Sequence, residues 1–194
     1  MILDFGFWIL DLPARPNPKS KIQNPKWVGP RIVTIGAYGF DEEGFFRALK
    51  EAGVGTFCDI RMRRGMRGSA YAFANSARLQ RRLAEMGIKY VHAKELAPGK
   101  EIRALQDRED KRKRVAKRAR TTLGEAFVEA YRSQRLAGFD PARFMEGLGP
   151  DAGVVCLFCV EADPAACHRS LVAEKLASEL DLQVEHLSGL RTEC

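Results

Sequence analysis

The stretch "GVVCLFCVE", residues 153–161, is the strongest constraint on what this chain can fold into. A strand with one wet face alternates apolar and polar residues, whereas this run is apolar without interruption from Val154 to Val160. That pattern belongs to a strand buried on both faces, in the interior of a mostly parallel sheet. Gly153 and Glu161 bound it, and its length suits a strand better than a helix.

The remaining sequence supplies the layers such a strand needs. Strand signals occur at 31–36 ("RIVTIG"), 56–61 ("TFCDIR"), 88–92 ("IKYVH") and 183–187 ("QVEHL"). Helical periodicity falls between them. It covers 41–53, opened by Asp41 and closed by Gly53, and 75–87, with Leu79, Leu83 and Met86 on one face. Two further helices are expected at about 101–120 and 122–137, a short one after Asp140-Pro141, and a last one at about 165–180. The expected architecture is therefore α/β: a mostly parallel sheet of about five strands with helices on both faces. Residues 1–30 read as an extended N-terminal arm or linker, because 11–30 hold five of the nine prolines without periodicity. Residues 31–194 read as a single α/β domain.

Composition narrows the function classes. No apolar run reaches the roughly 20 residues of a membrane span, and the opening "MILDFGFWIL" lacks a preceding basic residue and a following cleavage site. A cytoplasmic protein with no membrane partner is expected. The five cysteines, an odd number, suit free thiols in a reducing compartment. Cys156 and Cys159 have the gap of a zinc or redox pair, but within a strand they point to opposite faces, so no metal site and no cofactor are expected.

The net charge of +7 has a local source. Residues 111–120, "KRKRVAKRAR", carry seven basic side chains and no acid, and the rest of the chain is balanced. Lys111, Arg112, Lys113, Arg114, Lys117 and Arg118 are candidates for gripping a nucleic-acid backbone, since local positive charge gains affinity by counterion release. The alternative is a solvated helix face.

Chemistry-bearing residues follow the strands. Tyr38 comes after the first, Asp59 and Arg61 end the second, His92 ends the third, and Glu161 to Arg169 follow the fourth. In a parallel sheet these segments converge on one edge, where α/β proteins bind ligands. "DPAACHRS" opens a helix whose unpaired N–H groups attract anions. Arg61 and Arg169 offer planar forks for a phosphate, Tyr38 reads as a stacking surface or a loop anchor, and Asp59 as a positioning carboxylate or a base. Cys167, His168 and Glu161 are candidate catalytic groups. Cys167 is read either as a nucleophile with an acidified thiol or as a small buried core residue; His168 as a proton-transfer group or a hydrogen-bonded structural one; Glu161 as a base or a salt-bridge partner. His92 and His186 are expected to be structural.

These motifs also carry a resemblance. "TIGAYGF", "GVGTFCDIR", "LAEMGIKYVHAKEL" and "VVCLFCVEADPAACHRSLVAEKLASEL" resemble successive motifs of the domain of unknown function 488 family, over about residues 31–188. The best matches are Asp59-x-Arg61 and the late set Cys159, Glu161, Cys167, His168 and Arg169. The chain departs from the pattern after Arg61, where "MRRGMRGSAYAFAN" is richer in arginine and lacks proline, and at "ELAPGK", where relatives often carry Leu-Gly-Gly.

Three functions fit these residues: an enzyme acting on a phosphorylated compound, nucleotide or nucleic-acid end; a noncatalytic nucleic-acid-binding module; or a protein-interaction domain using its arm. A basic segment that shares one surface with the strand ends favours nucleic acid. Separation of the two favours a small phosphate-bearing molecule.

Overall fold

The computed structural model describes residues 31–189. The expected N-terminal arm and Cys194 lie outside the described residues. Five strands, β1 (Arg31–Gly36), β2 (Val54–Asp59), β3 (Lys89–His92), β4 (Val154–Cys159) and β5 (Val184–Leu187), form one sheet in the order β3-β2-β4-β1-β5. Every pairing is parallel. β4 lies between β2 and β1, as its unbroken apolar run demands. From β1 the chain moves outward to β2 and β3, then returns through β4 to β5 on the far side of β1. Strand order thus reverses beside β1 and β4, whose last residues, Gly36 and Cys159, are register partners.

Side chains of β4 alternate between two cores. Cys156 and Phe158 join Val33, Ile35 and Phe57 against α1 (Glu42–Glu51) and α2 (Ser76–Glu85), whose Phe45, Leu49, Leu79 and Leu83 are fully buried. Val155, Leu157 and Cys159 face the opposite way, toward Phe127, Tyr131, Leu148, Leu171 and Leu176. That second layer is built by α3 (Lys100–Lys113), α4 (Glu125–Tyr131), α5 (Pro141–Leu148) and α6 (His168–Leu180). Each large apolar side chain so buried contributes about 1.5–3 kcal/mol. Cys156 and Cys159 indeed occupy opposite faces.

Local chemistry sets the helix ends. The Asp41 side chain accepts the Gly44 N–H at 2.7 Å, and the Asp140 side chain accepts that of Arg143 at 3.0 Å. Each satisfies a backbone donor left unpaired in a first turn.

One expected helix is shorter than its sequence suggested. Residues 101–120 do not form a continuous helix: α3 stops at Lys113, and Arg114 takes a left-handed conformation with φ of 53°. The chain then runs through a short 3₁₀ turn at Lys117–Ala119 to Arg120. Arg120 donates to Asp110 Oδ2 at 2.9 Å, Glu161 Oε1 at 3.1 Å and the Ala166 carbonyl at 3.1 Å. A helix continued through 120 would carry this side chain several turns away from those partners, so the tertiary ion pairs override helical propensity.

Candidate functional site

The carboxyl edge of the sheet gathers the residues that follow the strands. Asp59 and Arg61 form a buried, two-pronged ion pair. Arg61 donates from Nε to Asp59 Oδ1 at 2.8 Å and from Nη2 to Oδ2 at 2.7 Å. Nη2 also reaches the Ala74 carbonyl, the guanidinium lies 4.4 Å from the centre of the Phe158 ring, and the Tyr90 hydroxyl donates to Asp59 Oδ2. Arg61 Nη1 is buried and has no hydrogen-bond partner among the described residues. His92 completes the corner, its Nε2 donating to the Arg61 carbonyl at 2.9 Å.

Arg169 is 0 % exposed, and its donors go to the protein itself. Nη1 donates to the Glu161 carbonyl at 2.6 Å, Nη2 to the Ala162 carbonyl at 2.9 Å and Nε to Thr34 Oγ1 at 3.3 Å. The expected open fork for an anion is instead a latch that holds the loop after β4 against β1. The latch needs Gly36, because a Cβ there would stand 1.8 Å from the Glu161 carbonyl oxygen and 3.2 Å from Arg169 Nη1.

Below the latch lies a cluster of three buried soft ligands. Cys159 Sγ, Cys167 Sγ and a ring nitrogen of His168 all lie within 4.8 Å of one another. His168 Nδ1 is 3.8 Å from Cys159 Sγ and 3.9 Å from Cys167 Sγ, while its Nε2 faces the Ile60 carbonyl at 3.3 Å. A carbonyl only accepts, so Nε2 carries the proton in the neutral ring and the Nδ1 lone pair faces the sulfurs. Glu161 Oε2 is 3.8 Å from Cys159 Sγ, and the Tyr131 ring packs edge-on against His168.

Electrostatics divide these groups. Burial works to raise the Cys167 thiol, but hydrogen bonds with Cys159 and His168 and the charge of Arg169 outweigh it, holding the thiol well below its ordinary value. Cys159 moves the opposite way, raised by its hydrogen bond with Cys167 and by burial. Burial raises Glu161, Cys167 adds to the effect and Arg120 opposes it. Cys167 is thus buried in the core beneath α6, as one of its two sequence readings had it.

The upper rim is basic and aromatic. The Arg118 guanidinium lies 5.0 Å from the centre of the Tyr38 ring and 5.6 Å from that of Tyr71, and the two rings meet edge-on at 4.9 Å. Lys117 and Arg118 are exposed, as are Lys111 and Arg114, and none of the four has an ion-pair partner among the described residues. Arg112 and Lys113 are partly neutralised by Glu109, at 2.7 and 3.0 Å. That pairing lowers the Glu109 carboxyl to about 2.

The edge thus brings together Tyr38, Asp59, Arg61, Glu161, Cys167, His168, Arg169 and Arg118. Lys111 to Arg114 stand at the end of α3, whose Asp110 is tied to Arg120. Sequence reasoning gave no role to Arg120 or Tyr71, and it reached Cys159 only through the family resemblance. Arg120 was hidden inside the basic run. Tyr71 stood in a loop without periodicity. Cys159 was paired in spacing with Cys156, although the readable signal was a strand-end cysteine followed by Cys-His at the next helix start.

These features define a parallel α/β domain whose chemistry collects at the carboxyl edge of its sheet, around a Cys-His-Arg helix start. The domain of unknown function DUF488 matches residues 42–176, most of the chain, and the protein belongs to that family. No curated protein and no solved structure matches the chain. Among the described residues no helix is long and apolar enough to cross a membrane.

Proposed function

We propose that the protein binds single-stranded nucleic acid on the rim above the strand ends. The observation that supports this reading is the placement of Arg118 against the rings of Tyr38 and Tyr71, which brings one residue of the basic segment to the sheet edge. Nucleic acid offers phosphates to exposed lysine and arginine and bases to aromatic and guanidinium planes, and single strands expose both. Arg63 and Arg67, exposed in the arginine-rich loop after β2, add positive charge. Base stacking on such a platform is worth about 1–3 kcal/mol per base.

Fluorescence anisotropy with labelled DNA and RNA oligonucleotides across a salt series tests the reading. Arg118→Ala and Tyr38→Ala are each expected to weaken binding of a single strand. Replacing Lys111, Arg112, Lys113 and Arg114 with glutamine is expected to flatten the salt dependence, by about 0.7 in log-log slope for each single-strand phosphate no longer neutralised. Binding that is absent at low salt, or indifferent to Arg118 and Tyr38, overturns it.

A second reading, an enzyme acting on a small phosphorylated compound, is favoured by one observation. Arg61 Nη1 is a buried donor without a partner among the described residues, and such a donor is costly unless an acceptor arrives. In that reading His168, Glu161 and Cys167 would handle protons or attack. Calorimetry with inorganic phosphate and mononucleotides, compared between the native chain and Arg61→Lys, separates it from the first.

A further inference from the structure

The soft-ligand cluster beneath the latch has a use that neither reading requires. We propose that Cys159, Cys167 and His168, with Glu161 at the fourth corner, form a buried site for a thiophilic divalent cation, zinc being the best fit.

Geometry is the first argument. Zinc–sulfur bonds of about 2.3 Å and zinc–nitrogen bonds of about 2.0 Å at a tetrahedral angle place sulfur and nitrogen about 3.5 Å apart. His168 Nδ1 lies 3.8 Å from one sulfur and 3.9 Å from the other, and all three ligand atoms fall within 4.8 Å of one another. The nitrogen–sulfur distances need contract by only a few tenths of an ångström, and the sulfurs, at most 4.8 Å apart, must draw together to close the set around one ion. Glu161 stands outside that mutual spacing, with its Oε2 3.8 Å from Cys159 Sγ and its Oε1 held by Arg120 at 3.1 Å.

The surroundings are the second argument. A metal-bound histidine ordinarily donates its other ring N–H to a carbonyl or carboxylate, which fixes the tautomer and aims the ligating lone pair. His168 Nε2 faces the Ile60 carbonyl, so the nitrogen left to bind is the one that faces both sulfurs. Charge also balances: two thiolates offset the ion, and Arg120 at 3.1 Å offsets Glu161. Hard cations are poorly served by this set, since sulfur and imidazole select softer metals.

Position is the third argument. Cys159 ends β4, Cys167 precedes α6 and His168 begins it, so the ion would tie the central strand to the helix packed over it. Cys156, three residues before Cys159, faces the other core and provides an internal control.

The test uses the full chain, purified under reducing conditions without a metal-binding tag. Elemental analysis is expected to find about one zinc per chain. Cobalt added to the metal-free protein is expected to give sulfur-to-cobalt charge-transfer absorption and the intense visible bands of a tetrahedral ion. Cys159→Ser and Cys167→Ser should weaken cobalt binding by more than the roughly 10–100-fold typical of losing an outer partner of a metal site. Glu161→Gln should weaken it less and shift the visible bands, and Cys156→Ser should change nothing. If a cysteine variant fails to fold, competition of the native chain against a chromogenic chelator decides. Native protein that gives no sulfur-to-cobalt band with excess cobalt overturns the proposal. So does a band that survives the double Cys159→Ser, Cys167→Ser change, or a Cys159–Cys167 disulfide formed in protein that takes up no metal after reduction.

Discussion

The two faces of β4 solve the same packing problem with different chemistry. Toward α1 and α2, Phe158 and Phe57 pack with Phe45 and Phe73 at centroid distances of 5.0–6.3 Å, and the buried Asp59–Arg61 pair caps this aromatic layer at the strand ends, its guanidinium over the Phe158 ring. Toward α6, the corresponding space holds Thr34, Cys159, Cys167, His168, Tyr131 and Arg169, each tied to a polar partner. Below that pair the α1 and α2 face is packed with aromatic rings. The α6 face keeps groups that lower stability unless satisfied, which is where a function concentrates.

The sharpest way to break this contrast is Phe45→Ala. Phe45 touches Phe40, Phe46, Phe57, Phe73 and Phe158, so the cavity should cost about 3–5 kcal/mol in urea unfolding and leave metal and nucleic-acid binding of the folded fraction unchanged. Next in size is Arg169→Lys. Lysine keeps the charge but cannot serve two carbonyls and a hydroxyl with one planar group, and hydrogen bonds from a charged donor are worth about 1.5–3 kcal/mol each. A loss of about that size is expected, with faster amide exchange in residues 160–166. Tyr131→Phe should cost about 1 kcal/mol, because the Leu96 carbonyl loses its buried hydroxyl donor.

The smallest effect concerns pH. Burial, and then the charge of Arg169, depress the pKa of His186, whose Nδ1 meets the Thr34 hydroxyl at 2.8 Å. The folded state therefore binds fewer protons than the unfolded one. The ring's contribution is fully present above its ordinary value near 6.5 and is lost as pH falls from there through the folded value. His186→Gln should flatten the fall of the urea midpoint over that window, and an unchanged profile would assign the slope to other groups.

Much of this arrangement was legible because it depends on local or periodic signals. The apolar run at β4 gave its central, parallel place, and alternation within it separated Cys156 from Cys159. Asp41, Asp140 and Gly53 marked helix ends with their own side chains or, for Gly53, a φ of 67°. What could not be read depends on distant partners. Nothing in "KRKRVAKRAR" signals a break, for it contains neither glycine nor proline; Arg114 ends α3 because Arg120 must reach Glu161. Likewise, the spacing of Cys167 from Cys159 does not reveal that the intervening loop folds back, since Arg169 supplies that restraint from the helix. Both arginines looked like ligands for something foreign, and Arg169 proves to bind the chain itself.

Gly36 shows how far one such restraint extends. Its missing side chain admits the Glu161 carbonyl, and Glu161, Cys159 and the Cys-His helix start depend on that approach in turn. Residue 36 and residue 161 lie at opposite ends of the domain's sequence, so the two meet only once β1 and β4 are side by side. In kinetic terms the strand-end face belongs to the late part of assembly, because long loops must be closed before it can form. A methyl group at position 36 would therefore act as a wedge in time as well as in space, leaving a sheet with its cores packed and its upper edge unfinished.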